Sequence, residues 1–289
     1  MIDAIEKSPG LPRRSKLVAV LMALFVLPAG FAYVRRLGWG IGLVFASPLL
    51  MFMAGRLGLP FTPWGYYGML AALGLLVLVS LVLAFQFART LPVGTAPRWY
   101  NRWYHYVWIG VLGVAFANVT AAYRGYLYGF ETYRIPSTAM QPNVMFGDFV
   151  VADVRAEATA NIKRGDIVTY VPVDHPGEVW VKRVIGLPGE TVHVIGNDVE
   201  IDGKPLAEPW ATIRDREFLG LVQYPNSLLG DHQYFLVGDD RPNSIDSRLT
   251  GPVDRTALRG KVEAIWFHFS PQTGMDMSRI GSLSPANSD

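Results

Sequence analysis

Hydroxyl groups and one lysine are the side chains of this sequence that are suited to nucleophilic chemistry. Ser137 and Thr138 stand in a stretch bracketed by two prolines, residues 134–142, and Lys182 lies in an apolar run. A hydroxyl attacks a carbonyl once a base removes its proton, and a lysine can be that base if its pKa falls from about 10.4 towards neutrality. Apolar neighbours lower the pKa of a lysine. Taken alone, however, Lys182 and Arg183 also fit an ordinary basic pair on a strand.

Other catalytic chemistries find less support in the sequence. The chain has no cysteine, which excludes thiol catalysis and disulfides. Its five histidines form no HExxH motif, and the sequence contains no G-x-S-x-G motif. Asp239, Asp240 and Asp246 suggest a Ca²⁺ site, but their spacing misses the EF-hand pattern and Arg241 and Pro242 interrupt it. We therefore predict no metal and no cofactor.

The two parts of the chain that must position these residues differ sharply in charge. Residues 1–130 hold 11 Lys and Arg but 2 Asp and Glu, whereas residues 131–289 hold 15 and 22, so the net charges are +9 and −7. Half of the sequence is hydrophobic (51%) and few residues are charged (17%). This composition predicts a membrane protein with a soluble part. The basic half suits anionic lipids better than nucleic acid, for which no motif is present.

Long uncharged segments predict about four transmembrane helices after a basic tail at residues 1–16. None of these segments holds Asp, Glu, Lys or Arg, which argues against a transport pathway. A cleavable signal peptide is an alternative for the first segment, and three spans remain open. With four spans, the Lys and Arg counts on the two sides of the membrane are equal, so charge alone leaves the orientation undecided. Within a membrane region at 17–125, the predicted helices are 17–34, 39–55, 66–88 and 103–123.

Short β-branched runs separated by Gly, Pro, Asp and Asn predict an antiparallel all-β domain over residues 131–269. Gly196-Asn197-Asp198 and Asp202-Gly203 have the turn chemistry of hairpins. Residues 270–289 are rich in Ser, Pro, Asn and Met and are expected to form a disordered tail. The predicted strands are 148–154, 166–173, 178–185, 191–195, 199–202, 233–237 and 261–269.

Four blocks of this β-rich half resemble the type I signal peptidases of bacteria. They read IPSTAMQP (135–142), GD (147–148), VKRVIGLPGE (181–190) and GDDRPNSIDSR (238–248). The resemblance covers roughly residues 131–269, in the family's order and spacing. Two departures lie in the last block, with Asp240 where the family usually has Asn and Pro242 where an acidic residue is common. The resemblance implies N-terminal transmembrane α-helices followed by a mostly antiparallel all-β catalytic domain.

The resemblance also implies a role for each matching residue. Lys182 matches the general base of a Ser/Lys dyad, Ser137 a hydroxyl of the oxyanion hole, and Ser244 the hydroxyl that orients the lysine amine. Asp246 and Arg248 match a structural ion pair that holds the last loop near the site. The remaining supporting positions are Met140, Gly238 and Asp239.

The position of the nucleophile, immediately before Met140, is occupied by Ala139. On an extended strand, Ser137 would place its oxygen about 6.6 Å away and Thr138 would point to the other face. Neither replaces the missing hydroxyl, so the chain is expected to be inactive by a factor on the order of 10⁶. Two explanations stay open: a deliberate Ser→Ala substitution, or a natural pseudoprotease that binds signal peptides.

For the native enzyme, the resemblance implies a serine endopeptidase that removes N-terminal signal peptides from exported preproteins at small-x-small sites. Its partners would be signal peptides and membrane lipids, with no nucleic acid and no cofactor. It would be a multi-pass protein of the inner (cytoplasmic) membrane, with the catalytic domain on the extracytoplasmic (periplasmic) side. A processing peptidase for one dedicated substrate is a further alternative.

Overall fold

The computed structural model of the chain describes residues 14–93, 97–196, 198–211 and 223–283. These residues form two compact units. The helical unit contains the chain up to Leu57 and Tyr67–Tyr128, and the β unit contains Gly58–Tyr66 and everything from Gly129 onwards. Most of the predicted basic tail, Asn197 of the predicted hairpin turn and the last six residues lie outside the described residues.

Three helices of the described chain are long and apolar enough to cross a membrane by length and composition, namely α3, α4 and α5 as bounded below. They lie where the sequence predicts helices at 39–55, 66–88 and 103–123. The helices before the β unit are α1 (Lys16–Phe25), α2 (Leu27–Tyr33), α3 (Leu37–Arg56), α4 (Pro63–Thr90), α5 (Trp103–Ala122) and α6 (Arg124–Tyr128).

The prediction of one continuous helix over residues 17–34 is wrong, because the chain reverses between α1 and α2. Pro28 lies in the first turn of α2 and has no N–H with which to extend the hydrogen bonding of α1. The backbone N–H of Ser15 donates to the Tyr33 hydroxyl (3.0 Å), so both outer ends of the hairpin lie together. Gly30 packs so closely on Ala23 that no side chain would fit there. The first predicted span is therefore a short helical hairpin.

The connection between α4 and α5 lies beside the end of this hairpin. The side-chain amide of Asn101 donates to the carbonyl oxygen of Ala32 (2.7 Å) and to the Tyr106 hydroxyl (2.8 Å). Arg14 lies over the ring of Tyr33, 4.8 Å from its centroid. The hairpin ends and the α4–α5 connection, which carry most of the basic residues of this unit, thus share one end of it.

The β unit consists of two antiparallel sheets. Nine strands form the larger sheet in the order β1-β2-β11-β3-β4-β9-β10, with β12 and β13 also paired to β11, and four form the smaller in the order β7-β6-β5-β8. Two short helices, α7 (Ala156–Ala160) and α8 (Ser247–Thr250), complete the unit. The strands are β1 (Phe130–Arg134), β2 (Asp148–Asp153), β3 (Ile167–Tyr170), β4 (Trp180–Gly186), β5 (Thr191–Ile195), β6 (Asp198–Ile201), β7 (Lys204–Pro205), β8 (Gln223–Leu228), β9 (Gln233–Val237), β10 (Val253–Asp254), β11 (Leu258–Ser270), β12 (Gly274–Met275) and β13 (Gly281–Ser282).

The long strand β11 organises the larger sheet. Its first residues pair with β3 and its later ones with β2, with register shifts in both pairings. Such irregularities bend a strand and increase its twist, so that β11 can pair with both β2 and β3. Buried apolar side chains from β2, β3 and β11 pack with Ile135 and Met140 in one core cluster. This core lies directly beneath the stretch that the sequence singles out.

The order of helices followed by a mostly antiparallel β domain is confirmed. All seven predicted strands have a counterpart in the structure, and Ile195 of β5 pairs with Asp198 of β6 as the predicted hairpin requires. Asp202 (φ 52°) and Gly203 (φ 72°) form the next turn, between β6 and β7. Short or polar strands such as β1, β8 and β10 were not predicted, because their sequences lack an apolar alternation.

The prediction of a disordered tail over residues 270–289 is wrong for its described part, residues 270–283. β12 and β13 pair with β11, and Leu283 packs against the core cluster around Ile135. Arg279 forms an ion pair with the buried Asp148 (2.7 Å). The polar composition concealed this order, because backbone pairing to β11 and the Arg279–Asp148 ion pair leave little apolar pattern in the sequence.

Residues 58–66, which connect α3 and α4, belong to the β unit. The ring of Tyr66 stacks on Trp266, with 4.7 Å between centroids, and meets the edge of Phe130. The guanidinium of Arg155 lies over Phe61, 4.7 Å from the ring centroid. The α3–α4 connection and the segment that follows α5 are therefore parts of one folded body.

Candidate active site

A cavity of about 520 Å³ in the β unit brings together four of the predicted site residues: Ser137, Ala139, Met140 and Lys182. One wall comes from the end of β1 and the residues after it, and the other from residues 178–182, which lead into β4. Asn243 and Ile245 of the loop after β9 contribute to the lining. The larger sheet thus brings Ala139 and Lys182, which are more than forty positions apart in the chain, to the same cavity.

The expected extended strand through residues 135–142 ends at Ile135. Ile135 still exchanges hydrogen bonds with the chain near β2, accepting from Gly147 N–H (2.9 Å) and donating to Asp148 C=O (2.8 Å). Pro136 has no N–H to continue such pairing. The chain then turns, with Gln141 N–H donating to Thr138 C=O (3.0 Å). The assumption of an extended strand through Ser137 and Ala139 is therefore wrong, and both residues line the cavity.

Ala139 is held against the loop that follows β9. Its carbonyl oxygen accepts a hydrogen bond from the backbone N–H of Asp240 (3.1 Å). A Cβ built on Gly238 would lie 2.6 Å from that same carbonyl oxygen and would overlap the Ser244 hydroxyl. The absence of a side chain at Gly238 thus allows the turn with Ala139 and the loop with Ser244 to approach each other.

Lys182 stands in the middle of β4, opposite Val168 of β3, and is 5% exposed. Its Nζ lies 5.6 Å from the centroid of Trp180, so the two side chains share one face of the strand as the alternation predicts. Burial lowers the pKa of Lys182, since removing the ammonium from water costs more than the nearby carboxylates of Asp246 and Asp239 return. The nearby Arg248 lowers this pKa further. The amine is therefore biased towards its neutral, basic form.

Asp246 and Arg248 form a buried bidentate ion pair, with two N···O distances of 2.8 Å. The same carboxylate accepts from the backbone N–H of Gly238 (3.0 Å). Arg248 also donates to the carbonyl oxygen of Arg241 (2.8 Å). The pair closes the loop between β9 and α8 on itself and fixes Gly238 beside the cavity.

Arg183 and Asn143 are supporting residues that the sequence interpretation missed. Arg183 points to the opposite side of β4 from Lys182 and binds Asp239 in a buried bidentate pair (2.7 and 2.6 Å). Asn143 donates to the same carboxylate (2.8 Å). Asp239 therefore ties together β4, the loop after β9 and the turn beyond Ala139. Strand alternation could have revealed the role of Arg183. Alternation places Arg183 on the other face of β4 from Lys182, and a charged side chain that is buried there needs a partner of opposite charge.

Ser244 is 8% exposed, and its Oγ has no hydrogen-bond partner among the described residues. The hydroxyl lies beside Gly238, but the structure contains no hydrogen bond between it and the Lys182 amine. Its predicted role in orienting that amine stays a prediction. Ser137, in contrast, is exposed at the cavity.

The acidic residues of this loop are bound to protein groups. Asp239 and Asp246 are paired with arginines, and Asp240 accepts from the Asn243 side chain (3.0 Å). Within the described ranges, no group of three or more His, Asp or Glu side chains is placed to hold a metal ion. The polar side chains that line the cavity include the Lys182 amine, the Ser137 hydroxyl and the Glu178 carboxylate.

Comparison with known sequences assigns the family. The profile described as "Signal peptidase, peptidase S26" matches residues 105–267, more than half of the chain and the whole of the cavity lining. The chain belongs to this family. The match makes it a relative of peptidases, which are hydrolases, and it includes Lys182, Ala139 and the loop 238–248.

Several curated relatives of the family are about 30% identical to this chain. A probable signal peptidase I-2 from Synechocystis sp. is 33% identical over 136 residues, 45% of this chain and 60% of that protein. A signal peptidase I from Bacillus licheniformis is 31% identical over 49% of this chain and 78% of that protein. Signal peptidase I T from Bacillus subtilis is 33% identical over 49% of this chain and 76% of that protein.

A solved structure of a signal peptidase I from Enterococcus faecalis V583 is 28% identical over 35% of this chain and 96% of that chain, with a TM-score of 0.27. The family assignment rests on the sequence matches.

Proposed function

We propose that this chain is a membrane-anchored signal peptidase of the Ser/Lys type, in which Ala139 occupies the position of the nucleophile. As it stands, the chain binds the cleavage region of signal peptides and does not hydrolyse it. The observation that carries this proposal is the single cavity that holds Ala139 together with a buried Lys182, whose pKa is lowered.

With a serine at position 139, the site has the parts for acyl transfer. The neutral amine of Lys182 takes the hydroxyl proton as the oxygen attacks the scissile carbonyl, and returns that proton to the leaving amine. Backbone N–H groups and the Ser137 hydroxyl stabilise the oxyanion of the tetrahedral intermediate. Lys182 then removes a proton from the water that releases the acyl group. Ala139 has no oxygen, so the first step does not begin.

The shape of the cavity suits a peptide bound as an extended strand. Its two walls, the residues after β1 and residues 178–182, offer backbone groups to such a strand. Ile135, Met140 and Val179 supply apolar contacts. Small residues at the first and third positions before the cut fit this arrangement, as the small-x-small specificity requires.

The helical hairpin supports one membrane orientation, where the sequence with four spans leaves two orientations tied. With α1 and α2 on one side and three spans after them, nine Lys and Arg fall on one side and only Arg56 and Arg124 on the other. The positive-inside rule makes the nine-residue side cytoplasmic. The β unit, together with residues 58–66, is then on the extracytoplasmic side of a multi-pass protein of the cytoplasmic membrane.

Ala139 itself favours one alternative, a natural pseudoprotease that holds signal peptides without cutting them. The retention of Lys182, Ser137 and Ser244 favours a substitution in an otherwise working site, because a degenerate site is under no constraint to keep them. A peptidase dedicated to one substrate would share the same geometry. It differs in how many preproteins it cleaves.

Restoring the hydroxyl tests the proposal. The full-length Ala139→Ser variant, purified in detergent, is expected to cleave a preprotein after an Ala-x-Ala sequence, while the unmodified chain leaves it intact. Thr138→Ser is the matched control, since it places a serine one position away and is expected to stay inactive. Absence of cleavage of any preprotein by Ala139→Ser, or cleavage that survives Lys182→Met in that background, would rule out the Ser/Lys mechanism.

A further inference from the structure

A second cavity, of about 570 Å³, lies at the basic end of the helical unit. Three arginines line it, Arg35, Arg36 and Arg98, together with Trp39 and small or apolar residues of the first turns of α3. We call this group the arginine cavity. Its lining residues all precede the family match, which begins at residue 105.

The three guanidinium groups have no carboxylate partner available within this part of the chain. Between residues 7 and 130 the sequence contains no Asp or Glu. The Nε atom of Arg35 is buried and has no hydrogen-bond partner among the described residues. A buried donor on a permanent cation is costly when it is unsatisfied. An anion that compensates these charges therefore comes from outside residues 7–130.

The surrounding structure holds the arginines in place around the cavity. Arg36 lies over the ring of Phe87 in α4, 5.3 Å from its centroid, and Trp39 packs on the same ring at 6.0 Å. The backbone N–H of Arg98 donates to Asn101 (2.9 Å), whose amide is anchored on Ala32 of the hairpin. Arg35 itself adopts φ 64°, a left-handed conformation that non-glycine residues seldom take. This residue forms the turn between the hairpin and α3.

The N-terminus of α3 adds to the positive potential. This 20-residue helix begins at Leu37, and its N-cap residue, Arg36, makes no side-chain hydrogen bond to the first turn. The positive end of the helix dipole favours an anion beside the arginines. Gly38 and Gly42 leave open space along this wall, since a Cβ at either would meet no atom within 4 Å.

We infer that the arginine cavity binds the phosphate of an anionic lipid headgroup. In the proposed topology it lies at the cytoplasmic surface, where anionic lipids are concentrated and where basic pockets between helices take such headgroups. Trp39, which is 52% exposed, is a residue type that prefers this interfacial layer. The inference rests on the proposed membrane orientation, and not on the peptidase mechanism.

Lipid binding by the full-length protein in neutral detergent tests this inference. A short-chain phosphatidylglycerol is titrated and binding is followed by intrinsic tryptophan fluorescence, with phosphatidylcholine as the zwitterionic comparison. Phosphatidylglycerol is expected to saturate the signal and phosphatidylcholine to leave it unchanged. Neutralising Arg35, Arg36 and Arg98 together with glutamine is expected to weaken binding on the order of 100-fold, about five-fold for each charge.

Control variants separate charge from folding. Arg56→Gln, outside the cavity, is expected to keep the affinity, and lysine at the three cavity positions is expected to keep most of it. Equal loss in the Arg56→Gln variant, or an unchanged affinity in the triple glutamine variant, would overturn the inference. Inorganic phosphate that produces the full signal at the same concentration would identify a soluble anion, and so would overturn the lipid assignment. The binding assay contains no peptide substrate, so none of these results bears on the proposed peptidase activity.

Discussion

At the scale of single residues, β4 carries the main contrast of the site. Lys182 is buried beside apolar groups with its charge disfavoured, while the adjacent Arg183 is buried with a bidentate partner in Asp239. Neighbouring positions of one strand thus carry a lysine whose charged form is disfavoured and an arginine whose charge is paired. An arginine keeps its charge under burial, so the two residues are not interchangeable.

The buried Lys182 is predicted to reduce stability at neutral pH. Because its pKa is lower in the folded protein than its usual 10.5, the unfolded chain binds the additional proton between those two values. The cost is complete below the folded-state pKa and disappears as the pH rises through 10.5. Lys182→Met is therefore expected to raise the melting temperature in detergent at pH 6, and the gain should shrink as the pH approaches 10.5.

Lys204→Met, at an exposed lysine of β7, provides the matched control and should leave the melting temperature nearly unchanged at every pH. A stabilisation by Lys182→Met that is the same at pH 6 and pH 10.5 would contradict a desolvated amine.

The hydroxyl of Ser137 is predicted to act on the transition state. In the Ala139→Ser background, Ser137→Ala is expected to reduce kcat by about 10²–10³-fold while leaving KM close to its previous value, as loss of one oxyanion donor does. Steady-state cleavage of a fluorogenic peptide measures both constants. A rise in KM with an unchanged kcat would instead assign Ser137 to substrate binding.

At the scale of elements, the loop after β9 and the turn at Ala139 depend on Gly238. A methyl group there would overlap Ser244 and lie 2.6 Å from the Ala139 carbonyl oxygen. Gly238→Ala is expected to destabilise the protein by about 1–3 kcal/mol, the usual cost of overpacking. Thermal unfolding measures the loss.

Gly281→Ala is the control for that substitution, since its Cβ would meet no atom within 4 Å and its φ lies outside the left-handed region. The close approach at Gly238 would be refuted if the two variants had the same melting temperature.

The sequence predicted those elements whose own periodicity defines them. The three long apolar helices and the strands of the β unit follow from local pattern, and Lys182 shares a face with Trp180 because alternation is local. The reversal within residues 17–34 depends on Pro28 and on the contact between Gly30 and Ala23, which hydrophobicity does not reveal. The turn at Thr138 and the order of residues 270–283 likewise depend on partners distant in sequence, Asp240 and β11.

At the scale of the whole molecule, the hairpin lowers the proposed number of membrane crossings from four to three and so changes the proposed charge balance. Because the chain has no cysteine, single introduced cysteines report topology without background. Val173→Cys in the β unit is expected to react with a membrane-impermeant maleimide in spheroplasts, whereas Val93→Cys after α4 is expected to be protected until the membrane is permeabilised.

Ser8→Cys, in the basic tail, distinguishes three spans from four. Protection of this cysteine fits the hairpin, and ready labelling would mean that the first segment crosses the membrane after all.

The pH dependence of kcat/KM for the Ala139→Ser variant tests the central claim most directly, because it reports the base that activates position 139. Cleavage is expected to rise with pH to a plateau, with a midpoint below the usual lysine pKa of 10.5, and to be lost in the Ala139→Ser/Lys182→Met variant. A rate that keeps rising with hydroxide concentration, or a profile that is the same without Lys182, would contradict it.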